Sequence, residues 1–194
     1  MTKQNIDICS QLIKNRRAIY PFAYIDKKID KKIIFEILNN ANYAPTHFLT
    51  QPWRFKVIEG QKLKELGNLL ATLYKESIKN EHFSEAKYKK TLEKPTRCSH
   101  VIAICMERDE NERLPEWEEI ASTAMAVQNM WLTSSSYNIG AYWSSPHYMN
   151  SDKCSAFLNL TLRQKCLGFF YMGYHEMQEM KAKRTPMENK IEWL

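Results

Sequence analysis

A chain of 194 residues with 44% hydrophobic and 26% charged side chains has the composition of one folded domain. It is long enough to bury roughly 70% of its unfolded surface and too apolar for extended disorder. Five cysteines, an odd number without a CxxC pair, argue against a disulfide framework or a zinc site and read as buried, inert thiols. The polar start MTKQNIDICSQLIKNRRAIY and the lack of an apolar run near the ~20 residues that cross a bilayer lead to the expectation of a cytoplasmic protein without a membrane segment.

Ile6, Cys9, Leu12 and Ile13 recur at helical spacing, which predicts an amphipathic helix over 5–15 ending before Arg16 and Arg17. Asp30 is placed to cap a second helix carrying the stripe Ile33, Ile34, Ile37, Leu38 and Ala41, with Pro45 as its stop. Trp53, Phe55 and Val57 alternate with Arg54 and Lys56, the pattern of a strand over 53–58. Leu63, Leu66, Leu70 and Leu73 mark a third helix, and a lysine-rich helix is expected near 84–93. The net charge of +6 invites an anionic partner. Yet acids and bases are interspersed, and the densest basic run, 87–97, contains Glu93 and reads as a solvated helix face rather than a nucleic-acid site.

VIAICM, 101–106, is short and continuously apolar, as in a strand covered on both faces. Pro115 and the acids behind it suit a helix start. The run 120–132 predicts a central helix buried on nearly every side, ended by Asn138 and Gly140. Strands are expected at 140–143 and 166–174, with a short helix at 152–158 between them. The polar tail after His175 carries two apolar anchors, Ile191 and Trp193. Helices mixed irregularly with four strands indicate an α+β fold in one domain, 1–194, its sheet antiparallel or mixed and covered by helices.

No GxGxxG, GxxxxGK[ST], GxSxG or HExxH occurs, and the chain has only five glycines, so an anionic ligand has to be held mainly by side chains. Arg16 and Arg17 match phosphate geometry, although the same pair could simply complement a helix C-terminus. NIGAYWSSP ends a strand in Trp143, Ser144 and Ser145, donors suited to a polar ring or a phosphate.

Four segments in register, NRRAIYPF, ANYAPTHFLTQPWRFKVIEG, EWEEIASTAMAVQNMWLTSSSYNIGAYWSS and CLGFFYMGYHE, resemble the nitroreductase family of flavin enzymes in its compact single-domain branch. The resemblance covers about 160 residues. It implies an intertwined homodimer with FMN at each subunit interface. Hydride passes from NADH or NADPH through the flavin to a nitroaromatic, quinone or activated alkene by a ping-pong mechanism, without a catalytic side chain or a metal. Arg16, Arg17 and Ala18 fall on positions that hold the phosphate and ribityl chain. Tyr43 and His47 fall on positions that reach the partner's flavin, and Trp143, Ser144 and Ser145 on strand-end flavin contacts. Arg184, beside Lys183, falls on a late phosphate ligand. Thr133, Ser134, Ser135, Ser136, Tyr137 and Asn138 fall on a helix end associated with the nicotinamide cofactor. Three positions depart from the pattern. Ala18 stands for a Ser, Leu49 for an Asn beside the ring, and Tyr20 for a Lys or Arg near the flavin N1. Two other readings stand beside this one: a flavin-binding protein without turnover, and a basic nucleic-acid-binding domain.

Overall fold

The computed structural model describes residues 3–178 and 182–194. At its centre lies a four-stranded sheet of β1 (Trp53–Ile58), β2 (His100–Glu107), β3 (Ile139–Ser144) and β4 (Gln164–Tyr174). The order is β1-β2-β4-β3 with every neighbouring pair antiparallel, so β1 and β3 form the edges. The two central strands are packed on both faces, which is why their sequences show no polar alternation. Along them, Ile102, Ile104, Phe170 and Met172 enter one layer and Val101, Ala103, Phe169 and Tyr171 the other. On the edge strand β1 the expected alternation breaks at Val57, which is exposed, while its neighbour Ile58 is buried in the second layer.

Helix α1 (Lys3–Asn15) precedes α2 (Lys31–Ala41), α3 (Gln61–Glu76), α4 (Glu85–Glu93), α5 (Glu116–Ser136) and α6 (Asp152–Phe157). Helices α2 and α5 supply the first layer with Ile34, Ile37, Ala126, Val127 and Met130; α3 supplies the second with Leu63, Leu66, Leu70 and Leu73. Asp30 caps α2 by accepting from Lys32 N at 2.7 Å. The helix ends sooner than Pro45 requires, because Asn42 N donates to Asn39 O at 3.0 Å and closes the last turn. No helix among the described residues is long and apolar enough to cross a membrane.

Three expectations are corrected. Helix α5 is buried along Ala126, Val127 and Met130, but its other side presents Trp117 and Met125 to solvent, because no described element of the chain crosses it. Helix α1 buries none of its residues, so Cys9 is exposed while Cys98, Cys105, Cys154 and Cys166 are buried. Ile191 and Trp193 lie exposed rather than anchored on their own chain.

Two glycines let side chains cross the sheet closely. Gly168 has φ 140° at the irregularity between β2 and β4, and a Cβ there would sit 2.3 Å from Trp143 Nε1. At Gly173 a Cβ would meet the Tyr24 ring at 2.5 Å. Tyr24 therefore lies flat on β4, and its hydroxyl donates to Ile19 O at 2.7 Å, 3.0 Å from Tyr171 O. With Ile19 N donating to Ala141 O on β3 and Ile25 N to Tyr174 O on β4, this clamps segment 16–25 from the outer rim of β3 across to the end of β4. The contact Ala18 with Ala141 is a parallel bridge in an otherwise antiparallel sheet.

The start of α5 is fixed by the fully buried Glu119, which accepts from Asp109 N at 2.7 Å and pairs with Arg108. Arg108 also donates to Leu114 O at 3.1 Å. Arg108→Ala would leave the buried carboxylate without its counter-charge, a loss of about 3–5 kcal/mol. Thermal unfolding should show the midpoint lowered by roughly 6 °C or more, and an unchanged midpoint would mean that the ion pair does not hold this junction.

Candidate functional site

The rim of β3 is flanked by cations from both faces of the sheet. On the α5 side, Arg16 stands 4.5 Å over the Trp131 ring, while the Trp131 indole donates to Arg17 O at 3.2 Å and so fixes the turn between α1 and the rim segment. Burial lowers the Arg16 pKa, and the neighbouring Arg17 and Arg184 lower it further. Arg184 is near enough for its charge to act on Arg16. Neither Arg16 nor Arg184 forms an ion pair with a carboxylate among the described residues. Arg17 behaves differently: its guanidinium folds back onto Lys14 O at 2.5 Å and Arg16 O at 2.7 Å, complementing the helix end.

On the opposite face, Tyr20, Pro21, Thr91, Lys94 and Tyr142 line a cavity of about 420 Å³. The Tyr20 and Tyr142 rings meet at 4.5 Å. Lys94, just past α4, puts its ammonium 4.5 Å over the Tyr171 ring and 5.8 Å from that of Tyr142. Burial pushes its pKa down to about 8, and no carboxylate pairs with it among the described residues. A desolvated cation facing only ring faces calls for an anion or an acceptor oxygen. Between the two clusters the backbone runs extended from Arg16 to Tyr20, a reach of roughly 13 Å. The donor set suits an elongated ligand with phosphate at one end and an electron-poor ring at the other.

The remaining candidates fall into three groups. Ala18 offers only backbone, on the rim itself. Trp143 is half-buried and its indole donates to Leu167 O at 3.2 Å, whereas Ser144 and Ser145 remain accessible at the strand end. In the 133–138 set the hydroxyls mostly return to their own helix: Thr133 to Asn129 O, the buried Ser134 to Met130 O, and Ser136 to Thr133 O. Tyr137 donates to Glu36 at 2.5 Å. Ser135 and Asn138 are left to line a second cavity, of about 350 Å³, together with Asn15, Arg17 and His175.

Tyr43 and His47 line neither cavity. Tyr43 is 78% exposed, and His47 Nδ1 lies 2.7 Å from Glu118 at the start of α5. The loop after them places Phe48, Leu49 and Gln51 at positive φ, backbone strain of the kind that gathers at binding sites. Leu49 points outward, 79% exposed. Sequence reasoning missed Lys94 and Thr91. Their only signal was the spacing of Lys87, Lys90, Thr91 and Lys94 on one face of α4, which is not solvated throughout but turned toward the cavity.

The nitroreductase family profile matches residues 13–174, and the chain belongs to that family. It is 26% identical over 185 residues to YfhC of Bacillus subtilis, provisionally named an NAD(P)H nitroreductase, covering 95% of this chain and 93% of that one. A crystal structure of a nitroreductase-like family protein from Bacillus cereus superposes with a TM-score of 0.78 at 25% identity, covering 95% of each chain. The FMN-dependent nitroreductase NfnB of Mycobacterium smegmatis, solved with NADPH, shares the fold at a TM-score of 0.77 and 16% identity over 98% of this chain and 99% of its own.

The depressed Lys94 pKa has a sign that can be checked. Between about 8 and the ordinary 10.5, the unfolded chain holds a proton that the folded one has released, so this lysine makes stability rise with pH across that interval. The stability difference between wild type and Lys94→Met should shift in favour of wild type by at most about 1.4 kcal/mol per pH unit there. Denaturant melts at pH values spanning the interval would show it, and a constant difference would rule it out.

Proposed function

We propose that the protein is an FMN-dependent oxidoreductase that uses NADH or NADPH to reduce an electron-poor nitroaromatic, quinone or activated alkene, working in the cytoplasm. The observation that carries this reading is that Arg16 over the Trp131 ring and Lys94 over the Tyr171 ring flank the β3 rim, neither with a carboxylate partner among the described residues. FMN, when bound, supplies a ring that accepts hydride from the nicotinamide and passes it to an acceptor entering after the nicotinamide has left. The overall balance is NAD(P)H, a proton and acceptor giving NAD(P)⁺ and the two-electron-reduced acceptor.

The chain's own part is binding and charge. Arg16 and Arg184 hold the phosphate, Arg17 fixes the helix end beside them, and the Ala18 backbone follows the ribityl chain. Lys94 meets the negative charge that reduction puts near N1 and C2=O, supplying the cation that Tyr20 does not. Ser144 and Ser145 offer hydroxyls at the strand end. Ser135 and Asn138 are the members of the 133–138 set available to the nicotinamide.

A second copy of the chain completes the site in this reading. Trp117, Met125, Phe35 and Tyr43 are exposed apolar side chains on or beside α2 and α5, surface that a second copy would cover. Its burial against the same elements of a second copy would bring Tyr43 and His47 to the partner's flavin, with the tail carrying Ile191 and Trp193 packed on the partner. The departure at Leu49 then becomes an apolar contact in that interface rather than a lost hydrogen bond.

The test is the visible spectrum of the purified protein before and after anaerobic addition of NADH or NADPH. Bound FMN that bleaches with either nicotinamide and recovers with menadione is expected. Bound flavin that neither donor reduces would leave a flavin-binding protein without turnover, and colourless protein that fails to take up FMN would overturn both readings. Arg16→Ala should weaken FMN binding about 10–100-fold, the loss of one charged hydrogen-bonding group to phosphate, as read by flavin retained through gel filtration.

A further inference from the structure

The face of α4 that carries Lys94 extends outward through Lys90 to Lys87, and this stripe forms one wall of the 420 Å³ cavity opposite Tyr20, Phe22 and Tyr142. No carboxylate lines that cavity. The two acids of α4 lie outside the lining and are paired, Glu85 at 3.7 Å from Lys89 and Glu93 at 3.6 Å from Arg97. The lysines of the stripe instead look onto ring faces: Lys87 stands 4.9 Å from the Tyr74 ring and Lys90 5.4 Å from that of Phe22. Arg97 approaches Phe22 as well, at 5.5 Å. Cations along one wall of a cavity whose lining, among the described residues, carries no carboxylate focus a positive potential into it.

We infer that the physiological acceptor is a planar aromatic or quinone that itself bears an anionic substituent, a carboxylate or sulfonate, which Lys87 and Lys90 draw in and hold at the outer wall while its ring packs beside Phe22 and Tyr20. The inference rests on the oxidoreductase reading above. With Lys94 given to the flavin edge, Lys87, Lys90 and Phe22 are the lining left for the ring that follows it. The stripe is assigned to the acceptor, and the 2′-phosphate of NADPH is the alternative that the test distinguishes.

The test compares 4-nitrobenzoate with 4-nitrobenzyl alcohol, whose substituents differ in charge and little in electronic effect. The FMN-loaded wild type and a Lys87→Gln, Lys90→Gln double variant are assayed with NADH, and flavin content is measured in both. At low salt the wild type should show kcat/KM about tenfold higher for the benzoate, and this preference should fall toward one in the double variant and in roughly 0.5 M salt. A wild-type ratio near one, or one that the double variant leaves unchanged, overturns the inference. So does a double variant that keeps the acceptor ratio and loses preference for NADPH over NADH, which would move the stripe to the donor. A flavin-loaded protein that turns over neither compound, and is not reduced by NADH or NADPH, overturns the oxidoreductase reading and this inference with it.

Discussion

An edge strand presents a row of backbone donors and acceptors that has to be paired, covered or used. On β3 that rim receives one parallel bridge, Ala18 with Ala141, from a segment held by the Tyr24 hydroxyl and the Trp131 indole. Nearly everything about the site follows from this strap. It sets Arg16 against Trp131 on one face of the sheet and Tyr20 against Tyr142 on the other, so the rim becomes the floor of a groove with a cationic group at each end. The sheet around it is organised to allow the strap: Gly173 clears the space in which Tyr24 lies on β4.

The cations explain why such a groove is a site and not merely an edge covered by a loop. Buried or half-buried charges in folded proteins are normally paired, as Glu119 is with Arg108, Glu107 with Arg54 and Asp109 with Arg113. The Arg113 guanidinium holds the Asp109 carboxyl well below its ordinary range. Arg113 thereby favours the charged form of Asp109, whereas burial disfavours the charged forms of Arg16 and Lys94, which have no carboxylate partner among the described residues. Two desolvated cations that flank one groove without a carboxylate partner among the described residues suit a site whose pairing a ligand supplies.

Much of this was legible beforehand. The four strands and six helices follow from period and capping, because each buries one apolar stripe or face, and the Arg16, Arg17 pair was visible as a phosphate candidate. What could not be read was which of the two arginines does what, since both carry the same chemistry and only the fold-back of Arg17 onto Lys14 O separates them. Lys94 was hidden by its surroundings: in a run of lysines the one that is desolvated is decided by the Tyr142 and Tyr171 rings beneath it, which come from strands about 50 residues or more away in sequence. The central helix looked buried all round because composition does not tell which faces of an apolar helix the rest of the chain covers.

In the proposed reading the Lys94 ammonium is the feature on which binding and chemistry meet, because a cation beside the flavin pyrimidine edge would favour the reduced ring over the oxidised one. The most direct measurement is the two-electron midpoint potential of bound FMN in the wild type and in Lys94→Gln. With flavin retained in both, the variant is expected to lie about 30–60 mV lower, equivalent to roughly 1.4–2.8 kcal/mol. Equal potentials at equal flavin content would contradict the placement of Lys94 at the ring.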